Sequence, residues 1–531
     1  MRIRQVFTKI ILGTVVFTLV FGLTGCSSKK QTATTTSKKT TTLYWWRSKE
    51  DANLETLQEI AKNYEQQNPG IKIQVVVKDP RNYEQNAIDA LAAGQTVADA
   101  PDILSLKSED LPKNLTKLTT APTKLIDVLQ NKDNPKKQTG KTTLEYAKGL
   151  FNDAAFKAIT FNNPATLKPD IYGLPMALDT LVLYRNKKLV RTASANLETV
   201  AANDKSITKA EIKRRQDLVN NTPATWKALT EAIPYIRITN GNDISQAAIA
   251  LGTATNIERS YDILQSVMMQ NGTQLTSDEL DSATFNQTLS SAAGQTSYGT
   301  KALDFYTQFA NPQSPFYTWN DNIVSGGQTD VDAFLGGKVA MILHYGSLYR
   351  YLINAKPEMK NDIEIAILPQ ITNPQNPTGS DNLKVPARIW VETVPNRGVD
   401  ETSVAKQKAA WSFAYFLSSK NGSRTYTDAM QIPSALKSVK NTRFVALKDQ
   451  KTIADVWFKG NEPTTIDKLF ISMITGVHSG AKSSQTALDE TATQVTSILQ
   501  KSKYKWATAS ARQAIIAGGE DETTESATPA P

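Results

Sequence analysis

Cysteine and histidine are nearly absent from this sequence. Its 531 residues include one cysteine, Cys26, and two histidines, His344 and His478. One cysteine cannot form an intramolecular disulfide, and so few ligands cannot build a cysteine-based zinc or iron–sulfur site or a multi-histidine metal centre. We therefore expect the protein to need no metal and no cofactor.

Runs of one charge are missing as well. The chain has 60 Lys and Arg residues against 51 Asp and Glu residues, with a formal net charge of +9. The basic residues are spread along the chain rather than gathered in arginine-rich runs, so the footprint of a nucleic-acid-binding protein is absent. The length and the hydrophobic content of 40% instead predict a globular protein with two or more lobes.

Residues 1–25 have the pattern of a bacterial export signal. Three basic residues precede an apolar run from Ile10 to Leu23, which is shorter than the roughly 20 residues of a membrane-spanning helix. The run ends in the letters LTGC, which resemble the lipobox of bacterial lipoproteins. This resemblance implies that Cys26 is acylated and becomes the new N-terminus. An ordinary secretory signal with an incidental cysteine is the alternative.

Two segments have compositions that cannot form a core. After Cys26, residues 27–42 are mostly serine, threonine and lysine, with no apolar side chain larger than alanine. This composition predicts a flexible, solvated tether. Residues 518–531 have neither aromatic nor large aliphatic side chains, and this composition predicts a frayed acidic tail over residues 516–531.

The body of the chain opens with alternating strand and helix patterns. An aromatic strand begins at Leu43, a helical repeat of apolar residues follows, and residues 71–77 alternate apolar and polar as a second strand. Strands separated by helices predict parallel pairing in an α/β sheet. Ligands of such sheets bind beyond the C-terminal ends of the strands, so we expect Trp45, Trp46 and Arg47 at the edge of a cleft.

Several short motifs follow one another along the body. YEQQNPGIKIQVV spans residues 64–76, YGLPMALDTLVLYRNK spans residues 172–187, FLGGKVAMIL spans residues 334–343, and QIPS spans residues 431–434. In this order they resemble the extracellular solute-binding proteins of bacterial ABC importers, in the branch of the maltose-binding protein.

The resemblance implies an α/β fold of the periplasmic-binding-protein type, with two lobes, crossing hinge strands and a cleft between the lobes. Under this interpretation residues 43–172 with 325–365 form the first lobe, and residues 173–324 with 366–515 form the second. Two segments are longer or more polar than a minimal member needs, and we expect them to shape the cleft mouth or to contact a partner: 111–149 and 196–221.

The resemblance also implies which side chains contact the solute. Asp179 falls on the acidic position that accepts hydrogen bonds from sugar hydroxyls in maltose-binding relatives. Arg47 is expected to donate hydrogen bonds, and Trp46 or Tyr345 to provide an aromatic plate. Asp179→Asn is predicted to weaken binding at least tenfold, which corresponds to about 1.4 kcal/mol, without lowering the melting temperature. The other candidates are Trp45, Asn256, Glu258, Tyr261, Tyr349 and Trp390.

The implied function is capture of a sugar or oligosaccharide and its delivery to the permease subunits of an ABC transporter. We expect a monomer without enzymatic activity, held by its acyl chains at the extracytoplasmic face of the cell membrane. Two alternatives stay open: a lipid-anchored glycan-processing hydrolase with paired carboxylates, and a surface glycan adhesin. No G-x-S-x-G, HExxH or P-loop motif occurs in the chain.

Overall fold

A computed structural model describes the part of the chain that folds into strands and helices. The export signal, Cys26, most of the tether and the acidic tail lie outside the described residues. No helix within the described part is long and apolar enough to cross a membrane. The described residues are 40–49, 53–79, 83, 100–240, 243–291, 294–371, 383–440 and 443–507.

The elements alternate between strands and helices through most of the chain. The strands are β1 (Thr41–Ser48), β2 (Ile71–Lys78), β3 (Ile103–Lys107), β4 (Thr160–Asn162), β5 (Pro169–Ile171), β6 (Leu174–Asn186), β7 (Ile238–Asn240), β8 (Asp243–Ile249), β9 (Thr288–Ser291), β10 (Gly294–Ser297), β11 (Val339–Tyr345), β12 (Ile363–Ile367), β13 (Val385–Thr393) and β14 (Ala454–Asp455). The α-helices are α1 (Leu54–Gln67), α2 (Leu111–Asn114), α3 (Leu125–Gln130), α4 (Thr143–Leu150), α5 (Asp153–Ile159), α6 (Lys187–Asn203), α7 (Lys209–Asn220), α8 (Trp226–Ile236), α9 (Ser260–Gln270), α10 (Tyr298–Gln308), α11 (Asp330–Leu335), α12 (Leu348–Ala355), α13 (Glu401–Leu417), α14 (Lys420–Met430), α15 (Val445–Gln450), α16 (Pro463–His478) and α17 (Ser484–Lys501).

The first elements form as the sequence predicts. The helix α1 buries Leu57, Ile60 and Tyr64 against the sheet, because these residues recur at helical spacing. Gly70 reverses the chain after the helix with a φ of 101°, a conformation that glycine adopts without a steric penalty. The strand β1 then pairs in parallel with β2 and with β3. The predicted parallel α/β sheet is therefore confirmed.

The strand β6 joins two halves of the main sheet. All of its residues are buried, as expected for a strand covered on both faces. Its first half pairs with β13, from Leu174 opposite Glu392 to Thr180 opposite Ala387. Its second half pairs with β11 and β12. We call β1, β2, β3 and the end of β13 the first strand group, and β7, β8, β11 and β12 the second strand group.

The strand pairing brings distant parts of the chain together. Residues 325–365, expected in the first lobe, contain β11 and the first residues of β12. The strand β11 pairs with β6 and with β8, and β12 pairs with β6. Within residues 366–515, β13 returns to pair with β3, and the helices α13 and α14 pack on α1. The order of motifs does not reveal this crossing, because strands from distant parts of the chain pair with one another.

The end of the described chain makes a third connection between the two strand groups. The helices α16 and α17 pack on α9 and α10, beside the second strand group. The chain then returns to β4: the amide of Ala507 donates to the carbonyl of Thr160 at 3.0 Å, and the amide of Asn162 donates to the carbonyl of Lys505 at 3.0 Å. The chain thus crosses between the groups in β6, in β13 and after α17.

A buried ion pair holds the first strand group together. The Arg47 Nη1 lies 2.6 Å from the Glu392 Oε1, and both side chains are 0% exposed. The Glu392 Oε2 accepts hydrogen bonds from the Trp45 Nε1 at 2.8 Å and from the Ser105 Oγ at 2.6 Å. The Arg47 Nη2 donates to the Tyr426 hydroxyl at 2.8 Å. This network joins β1, β3, β13 and α14.

We predict that Arg47→Met lowers the free energy of unfolding by about 3–5 kcal/mol, because Glu392 would keep a buried charge without its partner. Urea denaturation followed by circular dichroism measures this loss. The matched control is Lys213→Met, which removes one partner of the exposed pair with Asp217 on α7 and is expected to change stability far less. Equal losses in the two variants would contradict the role of the network.

Candidate functional site

A cleft lies between the two strand groups, beside the first residues of β13. Its inner part is lined by residues 107–109 after β3, by α9, and by Arg388 in β13. Its outer part has a volume of about 790 Å³ and is lined on one side by the loop 272–280. The two parts are continuous, because both are lined by Met269, Asp455, Val456, Trp457 and Trp506.

The floor of the inner part combines a cation, a carboxylate and an aromatic ring. The Arg388 Nη2 lies 3.8 Å from the Asp262 Oδ2, which is longer than a hydrogen bond. The Arg388 guanidinium stands over the Tyr345 ring, 4.1 Å from its centroid. Burial raises the pKa of the Tyr345 hydroxyl well above its usual value. Tyr345 is therefore a neutral hydroxyl group at the floor of the cleft.

Two buried groups on α9 lack a hydrogen-bond partner among the described residues. Asp262 is 4% exposed and Gln265 is 3% exposed, and neither the Asp262 Oδ2 nor the Gln265 Nε2 makes a hydrogen bond. Leaving a buried polar atom unpaired costs about 1–3 kcal/mol. A carboxylate oxygen accepts hydrogen bonds and an amide nitrogen donates them. Together they match a hydroxyl group, which can donate and accept at once.

Two tryptophans form the wall where the inner and outer parts meet. The Nε1 atoms of Trp457 and Trp506 are buried and lack a partner among the described residues. The Trp457 ring packs on Phe470, and the Trp506 ring packs on Phe458, each at a centroid distance of 5.3 Å. Such rings offer apolar faces and one polar donor each, which suits ligands with both C–H surfaces and hydroxyl groups.

Lys459 connects two carboxylates on opposite sides of the inner part. Its Nζ lies 2.6 Å from the Asp467 Oδ1 on α16 and 3.4 Å from the Glu109 Oε2 after β3. Burial alone would raise the pKa of Glu109. The positive charges of Lys459, Arg388 and Lys107 outweigh this effect and lower the pKa to about 2. Burial raises the pKa of Asp467 to about 6. Glu109 is therefore the firmly ionised partner of Lys459.

Only part of the predicted site reaches this cleft. Among the predicted residues, Tyr345 lines its inner part. Tyr261 lies close by: its ring centroid is 5.5 Å from the Lys459 Nζ, and its hydroxyl accepts a hydrogen bond from Arg259 at 3.2 Å. Neither of the two long segments, 111–149 and 196–221, contributes to the lining, so the structure does not place them at the cleft mouth.

The residues of β1 are turned away from the cleft. Trp45 and Arg47 are 0% exposed and belong to the Glu392 network. Trp46 is 3% exposed, with the Lys78 ammonium 4.1 Å from its ring centroid. Trp390 is also buried, and Arg47 and Lys107 lie within 5.8 Å of its ring centroid. Protein groups thus surround Trp45, Trp46, Arg47 and Trp390 in this structure, and contact of these residues with the solute stays a prediction.

Three further candidates are engaged within the protein. The Asn256 Oδ1 accepts from the Trp319 Nε1 at 3.2 Å. Glu258 lies 3.3 Å from the His344 Nε2, and this contact helps to lower its pKa to about 2. The Tyr349 ring packs on Phe444 at 4.8 Å. Asn256, Glu258 and Tyr349 are not among the residues that line the two parts of this cleft, and their contact with the solute stays a prediction.

Asp179 holds a turn rather than facing the cleft. It is 4% exposed, and its carboxylate accepts the backbone amides of Thr180, Gly346 and Ser347, each at 2.9 Å. A Cβ at position 346 would stand 2.7 Å from the Leu447 Cδ2 and 2.9 Å from the Asp179 Oδ1, so a larger residue there would have to displace these side chains. In this structure the Asp179 oxygens serve the turn between β11 and α12, and the acceptance of solute hydroxyls by Asp179 stays a prediction.

The residues that do line the cleft were missed for a physical reason. Asp262, Gln265, Arg388, Trp457 and Lys459 come from α9, β13 and the loop before α16, which pack together only in the folded chain. One signal was available in the sequence. The helix α9 is buried around most of its circumference, and polar residues in such a helix indicate a polar interior or a ligand site.

The profile of one family, described as bacterial extracellular solute-binding protein, matches residues 48–422. No curated protein sequence gives a significant match.

Solved structures show the same arrangement of elements. The sugar-binding protein MalE of Xanthomonas citri is 18% identical and has a TM-score of 0.61, covering 90% of this chain and 100% of that chain. The cyclic α-maltosyl-1,6-maltose-binding protein of Arthrobacter globiformis is 16% identical with a TM-score of 0.60, covering 87% and 99%. The GacH receptor of Streptomyces glaucescens, solved unliganded and with acarbose, is 16% identical with a TM-score of 0.57, covering 87% and 99%.

At these identities the likeness concerns the fold. It confirms the expected class: two α/β lobes, crossing hinge strands and a cleft between the lobes. We call the lobe built on the first strand group the first lobe, and the lobe built on the second strand group the second lobe. The cleft described above lies between these lobes, with Glu109 on the first and α9 on the second.

We predict that Asp179→Asn lowers the free energy of unfolding by about 1–3 kcal/mol, because the new amide group would face an N–H donor of the turn and leave it unpaired. Urea denaturation measures the loss. The control is Asp133→Asn, at an exposed position, which should leave stability unchanged. Unchanged stability of Asp179→Asn together with a loss of affinity would restore the role expected from the sequence.

Proposed function

The chain belongs to the bacterial extracellular solute-binding protein family, and on this premise we propose that it captures an oligosaccharide in the interlobe cleft for an ABC transporter. The unpartnered Asp262 Oδ2 and Gln265 Nε2 carry this proposal. A sugar hydroxyl that donates to the carboxylate and accepts from the amide satisfies both atoms at once. The tryptophan wall offers stacking surface for the sugar C–H faces.

The charge balance of the inner part favours a neutral solute. Its lining carries three basic and three acidic side chains, so a charged ligand would gain little from the summed field. Charge-assisted hydrogen bonds to individual hydroxyls are nevertheless strong, because each involves an ionised partner in a water-poor site. The six side chains are Lys107, Arg388, Lys459, Glu109, Asp262 and Asp455.

The dimensions of the cleft favour an elongated solute. The outer part, about 790 Å³, is in the range of sites that bury a drug-sized molecule. The inner part holds about 40 Å³, little more than the share of one water molecule in the liquid. A sugar unit can enter the inner part only if the lobes move apart. We propose that one end of the oligosaccharide binds there while further units occupy the outer part.

The crossing strands supply the hinge for this motion. Because β6 and β13 run through both lobes, the lobes can rotate about these strands without breaking the pairing within either lobe. Solute that binds both faces of the cleft favours the closed form, and the resulting shift in population is a signal that permease subunits can read.

A hydrolase is the alternative that the cleft argues against. Two of the three carboxylates that line its inner part are paired with lysines: the Asp455 Oδ1 lies 3.0 Å from the Lys157 Nζ, and the Glu109 Oε2 lies 3.4 Å from the Lys459 Nζ. Such partners keep a carboxylate ionised, whereas a general acid must hold a proton at neutral pH. We therefore propose binding without catalysis. No structural feature favours the adhesin alternative.

Lipid anchoring forms part of the same proposal. The LTGC motif and the preceding apolar run support removal of residues 1–25 and acylation of Cys26. Residues 26–42 would then link the acyl chains, palmitate among them, to β1. We propose that the monomer stands at the extracytoplasmic face of the cell membrane beside its permease.

We predict that Asp262→Asn raises the Kd for the best-bound oligosaccharide about tenfold or more, because an amide replaces the charged acceptor of a hydroxyl. Isothermal titration with maltose through maltohexaose measures this, after wild-type protein identifies the ligand. Asp133→Asn should bind like wild type. An unchanged Kd for Asp262→Asn would remove this residue from the site.

The same mixtures, analysed by chromatography after prolonged incubation, test the second part of the proposal. Intact oligosaccharide at every time point is expected of a binding protein. Shorter products that accumulate with the purified wild-type protein would favour the hydrolase.

We predict that Cys26→Ser moves the protein from the membrane fraction to the soluble fraction, because the acylated residue is lost. Cell fractionation and immunoblotting measure the distribution. Lys30→Ala, within the same tether, should stay with the membrane. Retention of Cys26→Ser in the membrane fraction would contradict the lipid anchor.

A further inference from the structure

The inner part of the cleft is narrow. Its volume of about 40 Å³ is far below that of a typical ligand pocket, so the structure corresponds to a closed arrangement of the lobes. Protein contacts that span the cleft stabilise such an arrangement. The ion pairs of Lys459 are such contacts, because one carboxylate belongs to each lobe.

Lys459 is fixed to the second lobe on its own side of the cleft. The amide of the following Asn461 donates to the Ser502 Oγ at 2.9 Å, which ties the loop to the end of α17. The Lys459 Nζ contacts Asp467 on α16 at 2.6 Å, and the lysine side chain is 5% exposed. The position of the ammonium group is therefore determined by the second lobe alone.

Glu109 approaches the same ammonium group from the first lobe. It follows β3 directly, so the sheet of the first lobe determines its position. Its Oε2 lies 3.4 Å from the Lys459 Nζ, and its side chain is 29% exposed. Opening of the lobes would separate Glu109 from Lys459 but would leave the Lys459–Asp467 pair intact.

We propose that Lys459 is a positioning residue that holds the cleft closed in the absence of solute by bridging Asp467 of the second lobe and Glu109 of the first. Loss of Lys459 removes the attraction that draws Glu109 of the first lobe to the second lobe, and the lobes open.

The bridge has a consequence for solute affinity, and this consequence rests on the proposed function. A solute that binds the closed form binds more weakly when that form is a small fraction of the population. The bridge raises that fraction before solute arrives. The effect on the shape of the unliganded protein does not depend on the identity of the solute.

Small-angle X-ray scattering of the unliganded protein tests the bridge. Lys459→Met should give a larger radius of gyration than wild type, because the lobes separate. Lys459→Arg should restore the wild-type value, since an arginine keeps the cation. Lys213→Met, which removes an equal charge from the exposed pair on α7, should match wild type. Equal radii for Lys459→Met and wild type would overturn the proposal.

A second variant keeps the test informative if Lys459→Met does not fold. Glu109→Gln removes the first-lobe charge while the Lys459–Asp467 pair remains, so the fold of the second lobe is undisturbed. Its radius of gyration should also exceed that of wild type. A wild-type radius for Glu109→Gln would show that the bridge does not hold the lobes.

Titration with the oligosaccharide identified for wild type separates this proposal from the proposed function. Lys459→Met should bind about fivefold more weakly or worse, within the usual range of coupling between sites, and Lys459→Arg should recover most of the affinity. If no oligosaccharide binds wild type but the radii change as expected, the proposed solute fails and the bridge stands. If solute binds and the radii stay equal, the bridge alone fails.

Discussion

The exchange of hydrogen-bond partners along β6 determines the arrangement of the whole protein. In its first half the strand pairs with β13, and in its second half it pairs with β11 and β12. Each half of β6 therefore belongs to a different half of the main sheet, and the cleft lies between the elements built on these two halves. Arg388 lies on β13, next to the point where this change of partners occurs. Arg388 is therefore part of a hinge strand and also lines the floor of the cleft.

The same ionic chemistry serves two purposes in the two regions. Within the first lobe the Arg47–Glu392 pair is short, at 2.6 Å, and the oxygens of Glu392 have several donors. Across the cleft the Arg388–Asp262 and Lys459–Glu109 contacts are longer, at 3.8 Å and 3.4 Å. A saturated network rigidifies a core. The longer pairs across the cleft leave hydrogen-bonding capacity for another molecule, and separating them costs less free energy.

The sequence allowed the fold class to be predicted, and of the residues that line the cleft it predicted Tyr345, which ends the strand that reaches the cleft. Local patterns were sufficient for β1, α1 and β2, since their spacing depends only on neighbouring residues. Contacts between distant residues could not be predicted in this way. Glu392, which binds Trp45 and Arg47, lies 345 or more positions from them. The turn that Asp179 binds, Gly346-Ser347, lies 167 or more positions from it.

The return of the chain to β4 after α17 has a mechanical consequence. Two bodies joined by a pair of adjacent strands can bend and also twist about the joint. A third attachment at Ala507, displaced from the two strands, restrains the twist and leaves one principal axis of rotation. The lobes then move relative to each other mainly by rotation about this axis. Closure of the cleft therefore costs little orientational entropy.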